Sequence, residues 1–168
     1  MKKSILVLMI LLIFIYCKGQ SIFPKDSICD TIHINTANYE GIIFGKNCLK
    51  KWILKENRWN PTKEDIEIAE ILIKKYIIKQ VKKKGMPNQV DSPKIHLNFD
   101  KYLRQYVGYV NEKGDRIIMI NCFWKDFVMK YYFDWEVRWI DVMDGGSYYW
   151  QVEVNIGKKK CFDYNVNG

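Results

Sequence analysis

Histidine is the scarcest chemical resource in this chain of 168 residues: only His33 and His96 occur. Neither belongs to an H-x-x-x-H or H-E-x-x-H spacing, so the sequence offers no zinc site of the usual kind. Both read as solvent-facing or capping residues. There is no C-x-x-C pair, which excludes a thioredoxin-like or zinc-ribbon role. Also missing are a G-x-S-x-G elbow, a P-loop and a dinucleotide fingerprint, so no cofactor is expected. Four prolines and ten glycines leave little material for long linkers. No apolar run approaches the roughly 20 residues that span a bilayer, and no internal repeat is visible.

What is present is a globular composition, 48% hydrophobic and 27% charged, with aromatics at 15% including six Trp and eleven Tyr. Such a chain buries a core of its own and makes one domain. The formal net charge is +8. The runs Lys82-Lys83-Lys84 and Lys158-Lys159-Lys160 invite a nucleic-acid reading. The first falls at an expected helix C-terminus, where cations offset the dipole, and the second falls in an expected turn. Both read as solvated surface, and no nucleic-acid partner is expected.

The N-terminus has the form of an export signal. Lys2 and Lys3 precede an uncharged apolar run, Ile5 to Ile15. That run is too short to span a membrane and is apolar on every side, as a secretory signal peptide is. Cys17 and Gly19 occupy small-residue positions for a cut after Gly19. The rival is lipoprotein processing, with Cys17 as the acylated first residue, although bulky Tyr16 precedes it. In that case a lipid anchor would be the one link to a membrane. Cleavage after Gly19 removes three lysines and no acid, taking the formal charge to +5. The domain plan is then residues 1–19 as signal, 20–60 as an N-terminal arm with one or two short strands, and 61–168 as an α+β domain. Periplasmic, outer-membrane-anchored and secreted destinations all remain open.

Four cysteines follow the signal, an even number that permits two disulfides outside the cytosol. Cys29–Cys48 would close a loop in the arm and Cys122–Cys161 would tie two strands. Free buried thiols are the alternative, above all for the second pair.

In the arm, Gly41 to Gly45 suits a short strand and Lys50 to Leu54 a second. Asn60-Pro61-Thr62 then opens a helix, with Thr62 as N-cap and Glu64 and Asp65 in the first turn. Ile66, Ala69, Ile73, Tyr76 and Ile77 recur at helical spacing up to Lys84, with Gly85 and Pro87 as the stop. Beyond it the period changes to two. Tyr102 to Val110 and Arg116 to Phe123 flank a five-residue loop containing Gly114, a hairpin pattern. Ser147 to Ile156 and Cys161 to Val166 alternate likewise, and Val137, Trp139 and Asp141 suggest one more strand before Asp144-Gly145-Gly146. The expected fold is α+β, one long helix packed on a mainly antiparallel sheet. This element order resembles the cystatin-like, NTF2-like and PepSY-like arrangements.

One-sided alternation predicts a sheet with one covered and one wet face. On the strand Ser147–Ile156, Trp150, Val152 and Val154 should lie beneath the helix. Tyr149, Gln151, Glu153 and Asn155 should face away from it. The stretch Phe123 to Trp150 is dense in aromatics, and not all of them fit one covered face. Tyr149 and Gln151, with Trp135 and Trp139 folded back beside them, are therefore the expected binding surface. Asp141, Asp144 and Glu153 could form a carboxylate cluster, but Asp144 before two glycines reads better as a turn.

Several short patterns occur in fixed order: Trp59-Asn60-Pro61-Thr62, Arg104-Gln105-Tyr106-Val107-Gly108-Tyr109, Ile120-Asn121-Cys122-Phe123, Asp144-Gly145-Gly146 and Val166-Asn167-Gly168. Together, from about Tyr39 to the end, they resemble a family of small uncharacterised exported proteins of the Bacteroidota. That resemblance implies export and carries over no catalytic or binding residue. Gln105 and Val107 also match two positions of the cystatin inhibitory loop Q-x-V-x-G, but Gly108 falls one place early and no inhibition is inferred. With no catalytic constellation in view, the expected function is a non-enzymatic envelope or secreted module that binds a protein, peptide or glycan. The alternative is a small hydrolase or isomerase with a pocket between helix and sheet.

Overall fold

The computed structural model describes residues 29–50, 53, 55, 57–84, 93–132 and 134–167. The expected signal peptide and Cys17 lie outside the described residues, as do Trp52, Leu54, Gly85 and Pro87. The described elements run in the order β1 (Thr31–Asn35), β2 (Glu40–Phe44), β3 (Arg58–Trp59), α1 (Lys63–Lys84), β4 (Tyr102–Val110), β5 (Arg116–Trp124), α2 (Lys125–Tyr131), β6 (Gly146–Asn155) and β7 (Lys160–Asn167). Two single 3-10 turns, Ile95–Leu97 and Phe99–Lys101, lead into β4.

The class is α+β, and the seven-stranded sheet is mixed. Its order is β1-β2-β4-β5-β6-β7, with β3 beside β4. Every pairing is antiparallel except β2 with β4, which is parallel. The parallel pair follows from the long connection through α1, which lets the chain re-enter in the same direction. β2 takes Leu103 to Val107 of β4 and β3 takes Gly108 and Tyr109, so these two short strands share one edge end to end. Gly108 makes this junction: a Cβ there would lie 2.7 Å from the Trp59 carbonyl oxygen and 2.8 Å from the Pro61 ring. The expected strand Lys50 to Leu54 falls largely outside the described residues, β1 adds a strand ahead of the expected Gly41–Gly45 run, and Val137 to Asp141 forms a turn and loop while the short helix α2 precedes it.

α1 starts as its sequence requires. Thr62 Oγ1 accepts the Asp65 amide at 3.2 Å, and Asp65 Oδ2 accepts the Thr62 amide at 3.0 Å. This is the reciprocal arrangement of a capping box. Ile66, Ala69, Ile73 and Ile77 are fully buried and form one core with Tyr106, Ile118, Ile120, Trp150, Val152 and Val154 of the sheet. Each such isoleucine contributes about 1.5–3 kcal/mol of burial.

The second face of the sheet is covered too, which corrects the expectation of a wet face. Ile42, Phe44, Leu103, Val107, Ile117 and Phe123 pack there under Cys48 and Ile53 of the β2–β3 loop, Val128 of α2, and Trp135, Trp139 and Ile140. Cys29 and Cys48 form the expected disulfide, which closes the start of the arm onto that loop. Cys122 and Cys161 are separate buried thiols, so the second expected bridge is absent. Their strands explain it. Cys122 opposes Trp150 on β6, whereas Cys161 opposes Val154, four residues along, on the far side of β6. Cysteines two strands apart cannot come within bonding range.

Candidate functional site

The register expected for β6 is correct, but the exposure is not. Trp150, Val152 and Val154 lie in the core beneath α1, and Tyr149 lies on the other face. Tyr149 and Trp135 are each only 4% exposed and Trp139 8%, while Gln151 is half-buried. Trp135 and Trp139 cover the second face rather than framing an open surface. The physical cause is a polar clasp. Gln105 Nε2 donates to the carbonyls of Trp135 and Arg138, each at 2.6 Å, and Gln105 Oε1 accepts the Ile140 amide at 3.0 Å. Asn121 Nδ2 donates to the Ile140 carbonyl at 2.7 Å and to Gln105 Oε1 at 3.1 Å. Two amide side chains thus hold the Trp135–Ile140 loop against the sheet.

The aromatic segment still makes a cleft, from different members. α2 presents Phe127 and Tyr131 one turn apart, their ring centroids 4.7 Å from each other. Phe127 meets Tyr149 edge to face at 6.0 Å, and Trp124 meets Tyr148 likewise at 5.8 Å. Together with Val142, Met143 and Gly145 these rings line a hollow of 640 Å³. Phe127 and Tyr131 are exposed, and Met143 on the rim is 85% exposed. Gly145 lets the wall close: a Cβ there would come 2.2 Å from the Tyr149 ring. Asp144 takes φ 58° and Gly146 φ 53°, the backbone of a tight turn and not of a carboxylate cluster. The Tyr149 hydroxyl is buried without a hydrogen-bond partner among the described residues, and burial pushes its pKa up. Glu153 is committed elsewhere, accepting the Tyr109 hydroxyl and pairing with Lys55 at 3.4 Å.

A second, polar cleft of 1020 Å³ lies between the β1–β2 turn, α1 and the 3-10 turns. At its floor Glu70 of α1 meets Arg104 of β4. Glu70 Oε1 lies 2.8 Å from Arg104 Nε and accepts the Tyr106 hydroxyl at 2.8 Å. Arg104 also donates to the carbonyls of Tyr102 at 2.6 Å and Phe99 at 2.9 Å. Burial raises the Glu70 carboxyl from its ordinary value, against the opposing pull of Arg104 and Tyr106. Tyr106 is raised well above its ordinary value, first by burial and then by the Glu70 charge. His96 lines this cleft with its Nδ1 buried and without a partner among the described residues, while His33 is exposed and sits 3.7 Å from Glu136. Glu70 stands 34 positions from Arg104, and in sequence it reads as a surface carboxylate on a charged helix. Only the alternating, otherwise apolar setting of Arg104 could have signalled a buried partner.

The short patterns singled out in the sequence sit at closures of the fold. Trp59 Nε1 donates to the Tyr109 carbonyl at 3.1 Å, and Asn60 Oδ1 accepts the Lys46 amide at 2.7 Å. Arg104, Gln105, Tyr106 and Asn121 form the two buried polar networks. Asn167 Nδ2 donates to the Val142 carbonyl at 2.7 Å. Among the described residues no group of three His, Cys, Asp or Glu side chains is placed to hold a metal ion, and no helix is long and apolar enough to cross a membrane. No family model, curated protein or solved structure matches the chain.

Proposed function

We propose that this is an exported, non-enzymatic binding module that uses the aromatic cleft beside α2. The observation that carries the reading is the exposure of Phe127, Tyr131 and Met143 around a hollow whose wall is Tyr149. Aromatic and methionine side chains are the residues most enriched at protein–protein interfaces, so a protein or peptide partner suits this cleft better than a glycan. The disulfide Cys29–Cys48 agrees with an oxidising compartment, as does the signal-like N-terminus. Membership in the Bacteroidota family of small exported proteins rests on the order of the five patterns. The element order also fits the cystatin-like, NTF2-like and PepSY-like arrangements, and we propose an architecture of that group.

The enzyme reading expects a pocket between helix and sheet. Side chains of Ile66, Ile73, Ile77, Tyr106, Ile118 and Trp150 fill the middle of that space, and the floor of the cleft at its edge is the mutually paired Glu70 and Arg104, which weighs against it. The test is capture from the host envelope with wild-type protein and the Phe127→Ser/Tyr131→Ser variant as baits. Both positions are exposed, so the variant should keep its unfolding midpoint while losing the partner. A partner retained equally by both baits refutes the cleft. Mass spectrometry of protein from its native host should find a chain beginning at Gln20 or a lipid on Cys17. An intact Met1 would refute export by this signal.

A further inference from the structure

The polar cleft calls for a different ligand. Arg104 is fully buried, with Nε facing Glu70 and its two terminal nitrogens donating to the Tyr102 and Phe99 carbonyls, which leaves the guanidinium little surface for an anion to reach. Glu70 is not used up in the same way. Both Arg104 Nε and the Tyr106 hydroxyl converge on Oε1, and Oε2 takes no hydrogen bond from the described residues. Its side chain is only 7% exposed and lines the cleft. A carboxylate oxygen in that position gains a strong, charge-assisted bond from any cationic donor that reaches it. His96 lines the same cleft, its Nδ1 buried with no hydrogen-bond partner among the described residues. The lining acids Glu64, Glu67, Glu70 and Asp100 outnumber the cations Lys63, Lys74 and Arg104. At the mouth, Ile71 is 51% exposed and Leu97 67% exposed, so the walls present apolar surface where the floor presents charge. Apolar walls with a few aimed polar groups are the general form of a small-molecule site.

We infer that this cleft binds an organic cation, an ammonium or guanidinium group carried on an apolar body. Glu70 Oε2 accepts its charged N–H, and Ile71 and Leu97 hold the body. The site is independent of the aromatic cleft and of whatever partner that cleft takes.

The test uses phenethylamine, with 2-phenylethanol and 3-phenylpropionate as neutral and anionic matches, titrated into isotope-labelled protein and followed by amide NMR. Phenethylamine should shift the amides of Thr36 to Tyr39 and of Ile95 to Asp100 saturably. It should bind about tenfold tighter than the alcohol, and the carboxylate should not bind there. Leu97→Ser and Glu67→Gln, both on exposed positions, should each weaken amine binding several-fold with an unchanged unfolding midpoint. Glu70→Gln should erase the preference for amine over alcohol; if that variant fails to fold, Glu67→Gln carries the charge test alone. Equal binding of amine and alcohol, shifts confined to α2 and β6, or no saturable shifts would each overturn the inference.

Discussion

At the residue scale, the buried polar side chains divide into those that are satisfied and those that are not, and the two classes respond oppositely to mutation. Asn121→Leu strips a donor from the Ile140 carbonyl and from Gln105 inside the second core. It should cost about 1–3 kcal/mol, the penalty of stranding buried partners, read as a lowered urea midpoint. Arg104→Met leaves Glu70 and the Phe99 and Tyr102 carbonyls uncompensated and should cost about 3–5 kcal/mol. Tyr149→Phe removes a hydroxyl that has no partner among the described residues, so it should leave stability unchanged or raise it by up to about 1 kcal/mol. A loss larger than that would mean the hydroxyl is bonded in solution. Trp150→Ala, beneath α1, should cost about 3–5 kcal/mol, and Tyr149→Ala should also be costly because its ring is the wall between Gly145 and Phe127. This is where the sequence misleads. Alternation places Tyr149, Gln105 and Asn121 on one face, but it cannot say whether water or a folded-back loop meets that face.

At the scale of elements, α1 and the β4–β5 hairpin are legible from the chain alone because their signals are local. The helix carries its own cap, stripe and stop within a few turns, and the hairpin joins two alternating runs across a short loop. Thr62→Ala should therefore cost about 0.5–2 kcal/mol, since it removes the acceptor for the Asp65 amide; an unchanged thermal midpoint would contradict the cap. β1 pairs only with the neighbouring β2, whereas β3 is two residues long and gains its identity from β4, distant in sequence. The same is true of the parallel register of β2 on β4. α2 hides inside an aromatic run because seven residues show barely two turns of periodicity. The ion pair of Glu70 with Arg104 joins a helix to a strand, and only the crossover between them reveals it.

For the molecule as a whole, two covered faces make alkaline pH the weak side. Burial pushes the Cys161 thiol up from 9.0 to about 11. Burial first, then the neighbouring Cys122 and Tyr76, pushes Tyr164 up from 10.0 to about 12. Tyr102, Tyr106, Tyr109 and Tyr149 shift the same way. In each case the unfolded chain sheds its proton before the folded chain does. The stability contributed is thus full below pH 9 and is lost progressively as pH rises through 9 to 11 for the thiol and 10 to 12 for Tyr164. Urea midpoints should hold steady from neutral pH to about pH 9 and then fall. A flat profile to pH 11 would show that these groups are not protected by folding.

The disulfide also settles how the molecule is presented. Cys29 is pinned just before Thr31, which stands opposite Phe44, and Phe44 stands opposite Val107 and so Met119. Tyr149 stands opposite Phe123, which leads back through Leu103 and Glu40 to Asn35 at the other end of the strands. A leash attached ahead of Cys29, whether a lipidated tail or a laboratory fusion, therefore pulls on one end of the sheet while the aromatic cleft opens at the other. Tension along that leash is borne by Cys48 and the β2–β3 loop before it reaches any ring of the cleft. Immobilised by its N-terminus, the protein holds its aromatic end outward, towards whatever approaches.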